Sequence, residues 1–232
     1  MQLKRIETAL SSIGLISRGA FHPNLEDGVP PLPDGRAVAT VVLAGNVGGD
    51  ARWQAFQQTR SSLQGPHPLN RWTREALSAV GSQLGAHVWF PFDGPPYLPF
   101  QRWAQRTEPV TPSPIGPLIH PDYGLWHAYR GALAFAAPIA LPAPDKRPSP
   151  CETCADKPCL STCPVDALKP QGLDLDACLD HIASDAGSAC LGGGCLARRA
   201  CPVGQQYRYA PAQARFHMEA FLRNAKKAVT GD

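Results

Sequence analysis

The chain lacks several features that would assign it to a secreted or membrane class. Its N-terminus, MQLKRIETALSSIGL, has no apolar core followed by a small-residue cleavage site, so no secretory signal is expected. No apolar run reaches the length of a membrane-spanning helix. No internal repeat occurs, and no low-complexity tract apart from one proline-rich stretch. These absences predict a soluble protein of the cytoplasm without a membrane partner, in a compartment where disulfides are rare.

Cysteine is missing from the first part of the chain, and tryptophan is missing from the second part. All 5 Trp precede Cys151, and all 8 Cys lie from Cys151 onward in a chain of 232 residues. A proline-rich joint, Pro138 to Pro150, separates the two parts. The composition therefore predicts two domains, residues 1–145 and residues 146–232. The first is long enough to bury a core of its own.

The cysteines form two runs that each end in Cys-Pro. The first reads C-x2-C-x4-C-x3-C-P and the second C-x11-C-x4-C-x5-C-P. The bacterial ferredoxin run is C-x2-C-x2-C-x3-C-P, and four thiolates hold one 4Fe-4S cluster. Two Cys-Pro endings therefore favour a ferredoxin-like module with two clusters. Zinc and disulfides are the alternatives, but zinc favours paired C-x2-C knuckles, and only Cys151 and Cys154 have that spacing.

The order of the cysteines also predicts which of them share a cluster. In two-cluster modules the cysteine before each proline ligates the other cluster. This rule divides the cysteines into two sets. Set A comprises Cys151, Cys154, Cys159 and Cys201, and set B comprises Cys163, Cys178, Cys190 and Cys195. Because metal binding and folding are linked, we expect this segment to be poorly folded without its metal.

Apolar periodicity predicts the elements of the N-terminal domain. Residues 2–13, 51–63 and 68–84 are predicted helices, the second with Asp50 as its N-cap, and residues 37–44, 87–92 and 130–141 are predicted strands. The first strand is continuously apolar, which favours burial on both faces. Pro138 places the end of the third strand at a sheet edge. The glycine-rich turn at 45–50 lies where α/β folds bind phosphate, but it lacks G-x-G-x-x-G, and a tight turn is the alternative.

One stretch carries a specific family likeness. Leu118-Ile-His-Pro-Asp-Tyr-Gly-Leu-Trp-His-Ala-Tyr-Arg-Gly131 resembles a motif of the cobalamin-processing proteins that decyanate and dealkylate vitamin B12. The likeness covers most of residues 1–145 and implies an α+β fold with a nitroreductase-like α/β sandwich that holds base-off cobalamin. The family's motif arginine, which takes part in thiol binding, maps onto Arg130. Where the family has A-H-V-A-G, this chain has Ala104-Gln-Arg-Thr-Glu108 and lacks the histidine.

Four residues of this motif are candidate cofactor contacts: His120, Tyr123, Trp126 and Arg130. The residue before a proline favours an extended backbone, so the His120 imidazole could face a pocket and ligate cobalt, with a hydrogen-bonded structural histidine as the alternative. Arg130 could clamp an anion or a corrin amide, with a surface ion pair as the alternative. The aromatic rings could pack on a macrocycle or simply fill the core.

The cysteine segment resembles a second family, the epoxyqueuosine reductases. Those enzymes join a cobalamin-binding domain to a dicluster domain, in the same order as here. Asp174-Leu-Asp-Ala-Cys178-Leu is similar to the isolated cluster ligand of that family. That family helps to bind tRNA with C-terminal helical repeats, which we do not expect here because the sequence stops at Asp232. Nucleic acid is therefore not an expected partner.

These features together predict an oxidoreductase of the cobalamin reductase or epoxyqueuosine reductase type. Two 4Fe-4S clusters would pass electrons from a low-potential donor to cobalamin in the N-terminal domain. The reaction would process the corrinoid itself or reduce a small-molecule substrate. The alternative is a ferredoxin-type electron-transfer protein whose N-terminal domain only docks a partner.

Overall fold

The chain folds into two compact units. The computed structural model describes residues 2–59 and 65–230. Unit 1 consists of residues 1–109 and 127–147, and unit 2 of residues 110–126 and 148–232. Residues 110–126 thus belong to unit 2, although their sequence position falls in the predicted N-terminal domain. The domain limits at residues 145 and 146 stay a prediction.

The elements of the described residues are numbered in chain order. The helices are α1 Leu3–Ser11, α2 Asp50–Thr59, α3 Pro68–Leu84, α4 Phe100–Thr107, α5 Pro158–Ser161, α6 Leu175–Ala183, α7 Ser188–Gly193, α8 Leu196–Ala200 and α9 Pro211–Thr230. The strands are β1 Ile16–Phe21, β2 Thr40–Val47, β3 His87–Trp89, β4 Thr111–Pro112, β5 Leu118–Ile119, β6 His127–Phe135, β7 Leu168–Lys169 and β8 Gly172–Leu173.

Unit 1 is built on an antiparallel four-stranded sheet with the strand order β1-β2-β6-β3. Strand β2 is buried from Thr40 to Asn46, as its continuous apolar sequence predicts. The prediction for the third strand was wrong in two respects. Strand β6 ends at Phe135, before Pro138, and it is an inner strand because β3 pairs with its residues 132–134. Pro138 therefore marks no sheet edge.

Two helices cover one face of this sheet. Helix α3 has the bounds that its apolar stripe predicts, and Gly85 ends it in the left-handed conformation with φ 67°. Its Leu77 and Val80 pack in one core with Ile6 and Leu10 of α1 and with Leu133 of β6. Helix α2 begins at Asp50. The capping side chain of Asp50 and residues 60–63 of the predicted helix lie outside the described part of the chain.

Unit 2 consists of short helices and two-stranded ladders. Strand β4 pairs with β5, and β7 pairs with β8. Helix α9 packs against α6 and α7 around a small core that contains Leu179, Ile182 and Cys190. The α+β class that the sequence predicts is confirmed, whereas the ferredoxin-like character of unit 2 stays a prediction. No described helix is both long and apolar enough to cross a membrane.

Candidate functional site

The cysteines of set A lie close together in unit 2. Burial raises the pKa of the Cys159 thiol, and the thiols of Cys201, Cys151 and Cys154 raise it further. Burial also raises the pKa of Cys151; a hydrogen bond with Ser149 opposes this rise, and Cys201 and Cys154 add to it. Thiols act on each other in this way only at short range. The fold therefore brings Cys201, at the end of α8, to the cysteines of the first run.

The cysteines of set B form a second group. Burial raises the pKa of Cys178 to about 11, and the thiols of Cys195, Cys163 and Cys190 contribute to the rise. Cys163 is the last cysteine of the first run, so it lies with the second run rather than with its own. The two groups have the membership that the crossover rule predicts. Their role as cluster ligands stays a prediction.

The donor set of each group consists of four thiols, the number that a 4Fe-4S cluster needs. All 8 cysteines are free thiols. Among the described residues, no group of three or more His, Cys, Asp or Glu side chains converges closely enough to hold one metal ion. A 4Fe-4S cluster makes a different demand, because each of its four thiolates binds a different iron and the sulfurs stay apart. The four thiols of each group are partly or fully buried, and the binding of a cluster by them stays a prediction.

Backbone N–H groups point at three of these sulfurs. Ala167 N–H donates to Cys163 Sγ at 3.3 Å. The backbone N–H groups of Leu196 and Val203 lower the pKa of the Cys190 and Cys201 thiols, against the larger rise that burial causes. Such bonds stabilise negative charge on sulfur, and they are one of the factors that set a cluster's reduction potential.

The segment 110–126 builds one wall of the set A site. Its Ile119 and Leu125 are buried against Cys201. The turn at Gly124 approaches the chain after Cys201 so closely that a Cβ on Gly124, whose φ is +55°, would lie 2.0 Å from the carbonyl oxygen of Val203. Only glycine fits such an approach at a positive φ. The first half of the cobalamin-family motif thus belongs to the cysteine unit.

His120 is held by hydrogen bonds inside this turn. Its Nδ1 accepts from the backbone N–H of Asp122 at 3.0 Å and from that of Tyr123 at 3.3 Å. The neutral ring therefore carries its proton on Nε2. A protonated Nε2 has no free lone pair with which to bind a metal. The ring is buried and stacks on Tyr123 with 4.2 Å between centroids. These contacts are those of a structural histidine, and cofactor contact by His120 or Tyr123 stays a prediction.

Trp126 is buried in unit 2. The Arg198 guanidinium lies 4.4 Å from the centre of its ring, and the Tyr209 ring packs edge-on at 5.5 Å. Arg198 Nε donates to the carbonyl of Leu125 at 3.1 Å. Arg130, the fourth candidate, belongs to unit 1. The four candidates therefore do not share one unit, and their role in cofactor binding stays a prediction.

Two bulges in the sheet shape the surroundings of Arg130. Ala44 pairs with Gly131 and Gly45 with Tyr129, so Arg130 is an extra residue on β6. On the other side of β2, Arg18 and Gly19 together face one residue. Bulges redirect side chains and are frequent beside functional sites. Here Arg130 Nε donates to Asn46 Oδ1 at 2.8 Å.

The second bulge contains Arg18, whose charged side chain is buried. The Arg18 side chain is 0% exposed and forms two hydrogen bonds with Glu108, at 2.8 and 2.7 Å. It also donates to His127 Nδ1 at 3.3 Å. Tyr129 donates its hydroxyl to Glu108 Oε2 at 2.7 Å, and burial raises the pKa of Tyr129 far above its usual range, so the phenol stays a neutral donor.

Three members of this network were not predicted from the sequence: Arg18, Asn46 and Glu108. Arg18 and Glu108 are 90 residues apart in the chain, and no local pattern links them. One signal was available for Glu108, because it ends the stretch in which the cobalamin-processing family has its A-H-V-A-G histidine. In this chain that region supplies a carboxylate to a buried arginine.

Comparisons with known proteins show the fold. No family model and no curated protein sequence matches this chain. The B12-trafficking protein CblC of C. elegans, a homologue of human MMACHC, matches in structure with a TM-score of 0.56 and 16% identity, over 96% of this chain and 94% of that chain. An epoxyqueuosine reductase from Streptococcus thermophilus matches with a TM-score of 0.53 and 13% identity, over 92% and 70%.

A second epoxyqueuosine reductase structure, solved with a modified stem loop of tRNA-Tyr, matches with a TM-score of 0.50 and 15% identity, over 91% of this chain and 69% of that chain. Both families that the sequence resembles are thus structural neighbours. At these identities the likeness establishes a shared α+β fold and nothing finer.

Proposed function

We propose that this chain is an iron–sulfur oxidoreductase that carries two 4Fe-4S clusters on its 8 cysteines and delivers electrons to a corrinoid held by unit 1. The observation that carries the proposal is the sorting of these cysteines into two partly buried groups of four. Buried free thiols are otherwise inert structural residues. Structural residues do not need to lie together in two groups of four, whereas cluster ligands do. When bound, the clusters supply one-electron transfer at low potential.

The residues of unit 2 have separate tasks in this proposal. Set A and set B hold the iron, and the N–H groups of Ala167, Leu196 and Val203 tune the sulfurs. Met218, Phe221 and Leu222 of α9 pack against the set B core and keep water from it. A low-potential electron donor is the expected partner of this unit.

For unit 1 the corrinoid proposal is supported by fold and by chemistry. The fold is shared with a B12-trafficking protein along nearly the whole chain. Arg130, redirected by its bulge, provides guanidinium donors for a corrin amide or a substrate anion. Asn46 orients that guanidinium through its hydrogen bond to Nε. The substrate would be the corrinoid itself or a small molecule that the corrinoid helps to reduce.

Iron and sulfide assays test the first half of the proposal. Protein purified without oxygen should contain about eight iron and about eight sulfide per chain. A value near four, or zinc in place of iron, would contradict it.

A titration with hydroxocobalamin tests the second half. Cluster-loaded protein should shift the cobalamin spectrum and accelerate cobalt reduction by a low-potential reductant. Arg130→Ala should weaken binding, whereas Arg5→Ala, at an exposed position of α1 in the same unit, should not. No shift and no acceleration would leave the alternative, a ferredoxin-type electron carrier whose unit 1 docks a partner.

A further inference from the structure

A cavity in unit 2 combines positive charge, aromatic surface and a buried donor. Its volume is about 140 Å³, and it is lined by Trp126, Gly193, Arg199, Arg208, Tyr209 and Pro211. This volume is well above the space that one water needs. The lining contains two guanidinium groups and no carboxylate. A wall of this composition attracts an anion and repels a cation.

The neighbouring Arg198 has a structural role, because its guanidinium is held by contacts within unit 2. Its Nε donates to the carbonyl of Leu125, and its guanidinium lies against the rings of Trp126 and Tyr209. Through these contacts Arg198 stabilises the position of segment 110–126. It does not line the cavity.

Arg199 and Arg208 are placed differently. Among the residues that the structure describes, no carboxylate pairs with either guanidinium. Arg208 Nη2 donates to the backbone carbonyl of Arg199, which ties the second arginine to the first. Arg199 Nη1 lies so near Gly193 that a Cβ there would be 2.9 Å from it. Gly193 thus leaves room for the guanidinium beside the cavity.

Trp126 adds a polar group to the same cavity. The residue is 3% exposed, and its indole Nε1–H is buried without a hydrogen-bond partner among the described residues. Buried N–H groups are rarely left unpaired, because removing them from water without a partner is costly. An acceptor of hydrogen bonds in the cavity would meet two guanidinium groups and would lie beside the residue that carries this donor.

We propose that this cavity binds a small oxyanion, the phosphate or carboxylate group of a small molecule. Guanidinium groups match both oxyanions because their parallel N–H groups donate to two oxygens at once. The site borders both cysteine groups, since Arg199 is close enough to act on the Cys190 thiol and Arg208 on the Cys201 thiol. It lies wholly within unit 2 and does not depend on corrinoid binding by unit 1.

Calorimetric titration of the full chain, purified without oxygen, tests the site. The probes are inorganic phosphate and acetate, each at an ionic strength held constant with sodium chloride. We expect saturable binding of at least one probe to a single site. Arg199→Gln and Arg208→Gln should each weaken it about tenfold or more, because each removes a charge-assisted hydrogen bond. Trp126→Phe, which keeps a ring but loses the N–H, should weaken it less.

The controls separate a built site from general attraction to a basic protein. Arg215→Gln and Arg223→Gln remove charges from α9 that pair with Glu219 and do not line the cavity. They should leave the affinity unchanged. An equal loss of affinity in these controls, or no saturable binding of either probe to the wild-type chain, would overturn the proposal.

Gly193→Ala keeps every charge and displaces only the Arg199 guanidinium, so it still decides the question if an arginine variant fails to fold. It should weaken binding, and unchanged affinity would contradict the role of Arg199. The iron content of each variant is measured beside its affinity. A protein that binds phosphate but contains no iron would overturn the proposed function and leave the oxyanion site standing.

Discussion

At the scale of single residues, unit 1 contains a buried charge at Arg18. Its side chain is 0% exposed, and its guanidinium forms an ion pair with Glu108 at 2.7 Å. Removing one partner of a buried ion pair leaves an uncompensated charge, which destabilises far more than the pair stabilises. We expect Glu108→Gln to lower the free energy of unfolding by about 3–5 kcal/mol. Urea denaturation followed by tryptophan fluorescence measures this loss.

Two further variants serve as a control and as a test of the ion-pair argument. Glu75→Gln, on the exposed side of α3, should change the free energy of unfolding by less than about 0.5 kcal/mol. The double variant Arg18→Met, Glu108→Gln should recover much of the stability, because it removes both charges from the interior. If Glu108→Gln unfolds at the same urea concentration as the wild type, the pair does not have the structural role assigned to it.

The close approach at Gly124 gives a second prediction for one residue. Gly124→Ala would put a methyl group 2.0 Å from the carbonyl oxygen of Val203, whereas Gly116→Ala would meet no atom within 4 Å at a φ of +103°. Both substitutions strain the backbone by on the order of 1–3 kcal/mol, but only the first also forces two segments apart. We expect Gly124→Ala to melt at a lower temperature than Gly116→Ala and to retain less iron. Equal melting temperatures would contradict the steric argument.

At the scale of elements, helix α8 links the two cysteine groups. Cys195 lies at its start and Cys201 at its end, so one short helix contributes to both sets. We expect Cys201→Ala to damage the cluster at set A and Cys163→Ala to damage the cluster at set B. Electron paramagnetic resonance of the reduced variants distinguishes the two clusters. Loss of the set B signal in Cys201→Ala would show that each run holds its own cluster instead.

Elements with strong local signals were predictable from the sequence. Helix α3 has both its predicted ends, because Pro68 opens it, Gly85 closes it and an apolar stripe runs between them. The thiols that act on one another fall into the two sets that the spacing and the Cys-Pro endings predict, whereas their role as cluster ligands stays a prediction. Strand β2 was placed three residues early, at Ala37 rather than Thr40, since apolar runs do not define where pairing begins.

What could not be predicted depends on contacts between distant parts of the chain. The bulge at Arg130 follows from the register of β6 against β2, which alternation of side chains does not reveal. Strand β6 was misplaced because Pro138 was taken as part of a strand that ends at Phe135. Arg18 has no local feature that distinguishes it from an exposed arginine. Its burial depends on Glu108, and only the folded sheet brings the two together.

At the scale of the whole molecule, the two units should respond differently to loss of metal. Unit 1 has an extensive apolar core, whereas the apolar clusters described in unit 2 are smaller and include cysteines. Because metal binding and folding are linked, removing iron with a chelator should loosen unit 2 and leave unit 1 folded. Hydrogen exchange measured by mass spectrometry should show lost protection in α6–α9 and retained protection in β2 and β6. A mock-treated sample is the control, and equal loss in both units would contradict the prediction.

The discontinuous make-up of unit 2 also determines when it can be completed during synthesis. Ile119 and Leu125 emerge from the ribosome long before Cys201 and Val203, the residues they pack against. The residues that they contact lie roughly 80 positions later in the chain. At a synthesis rate of roughly 5–20 residues per second, the ribosome needs about 4–16 seconds to reach them. During that interval the apolar side chains of segment 110–126 lack their partners, and set A lacks its fourth thiol. In the proposed function, iron insertion at set A therefore has to follow the synthesis of Cys201, and a nascent chain stalled before Cys201 would expose an apolar surface to chaperones.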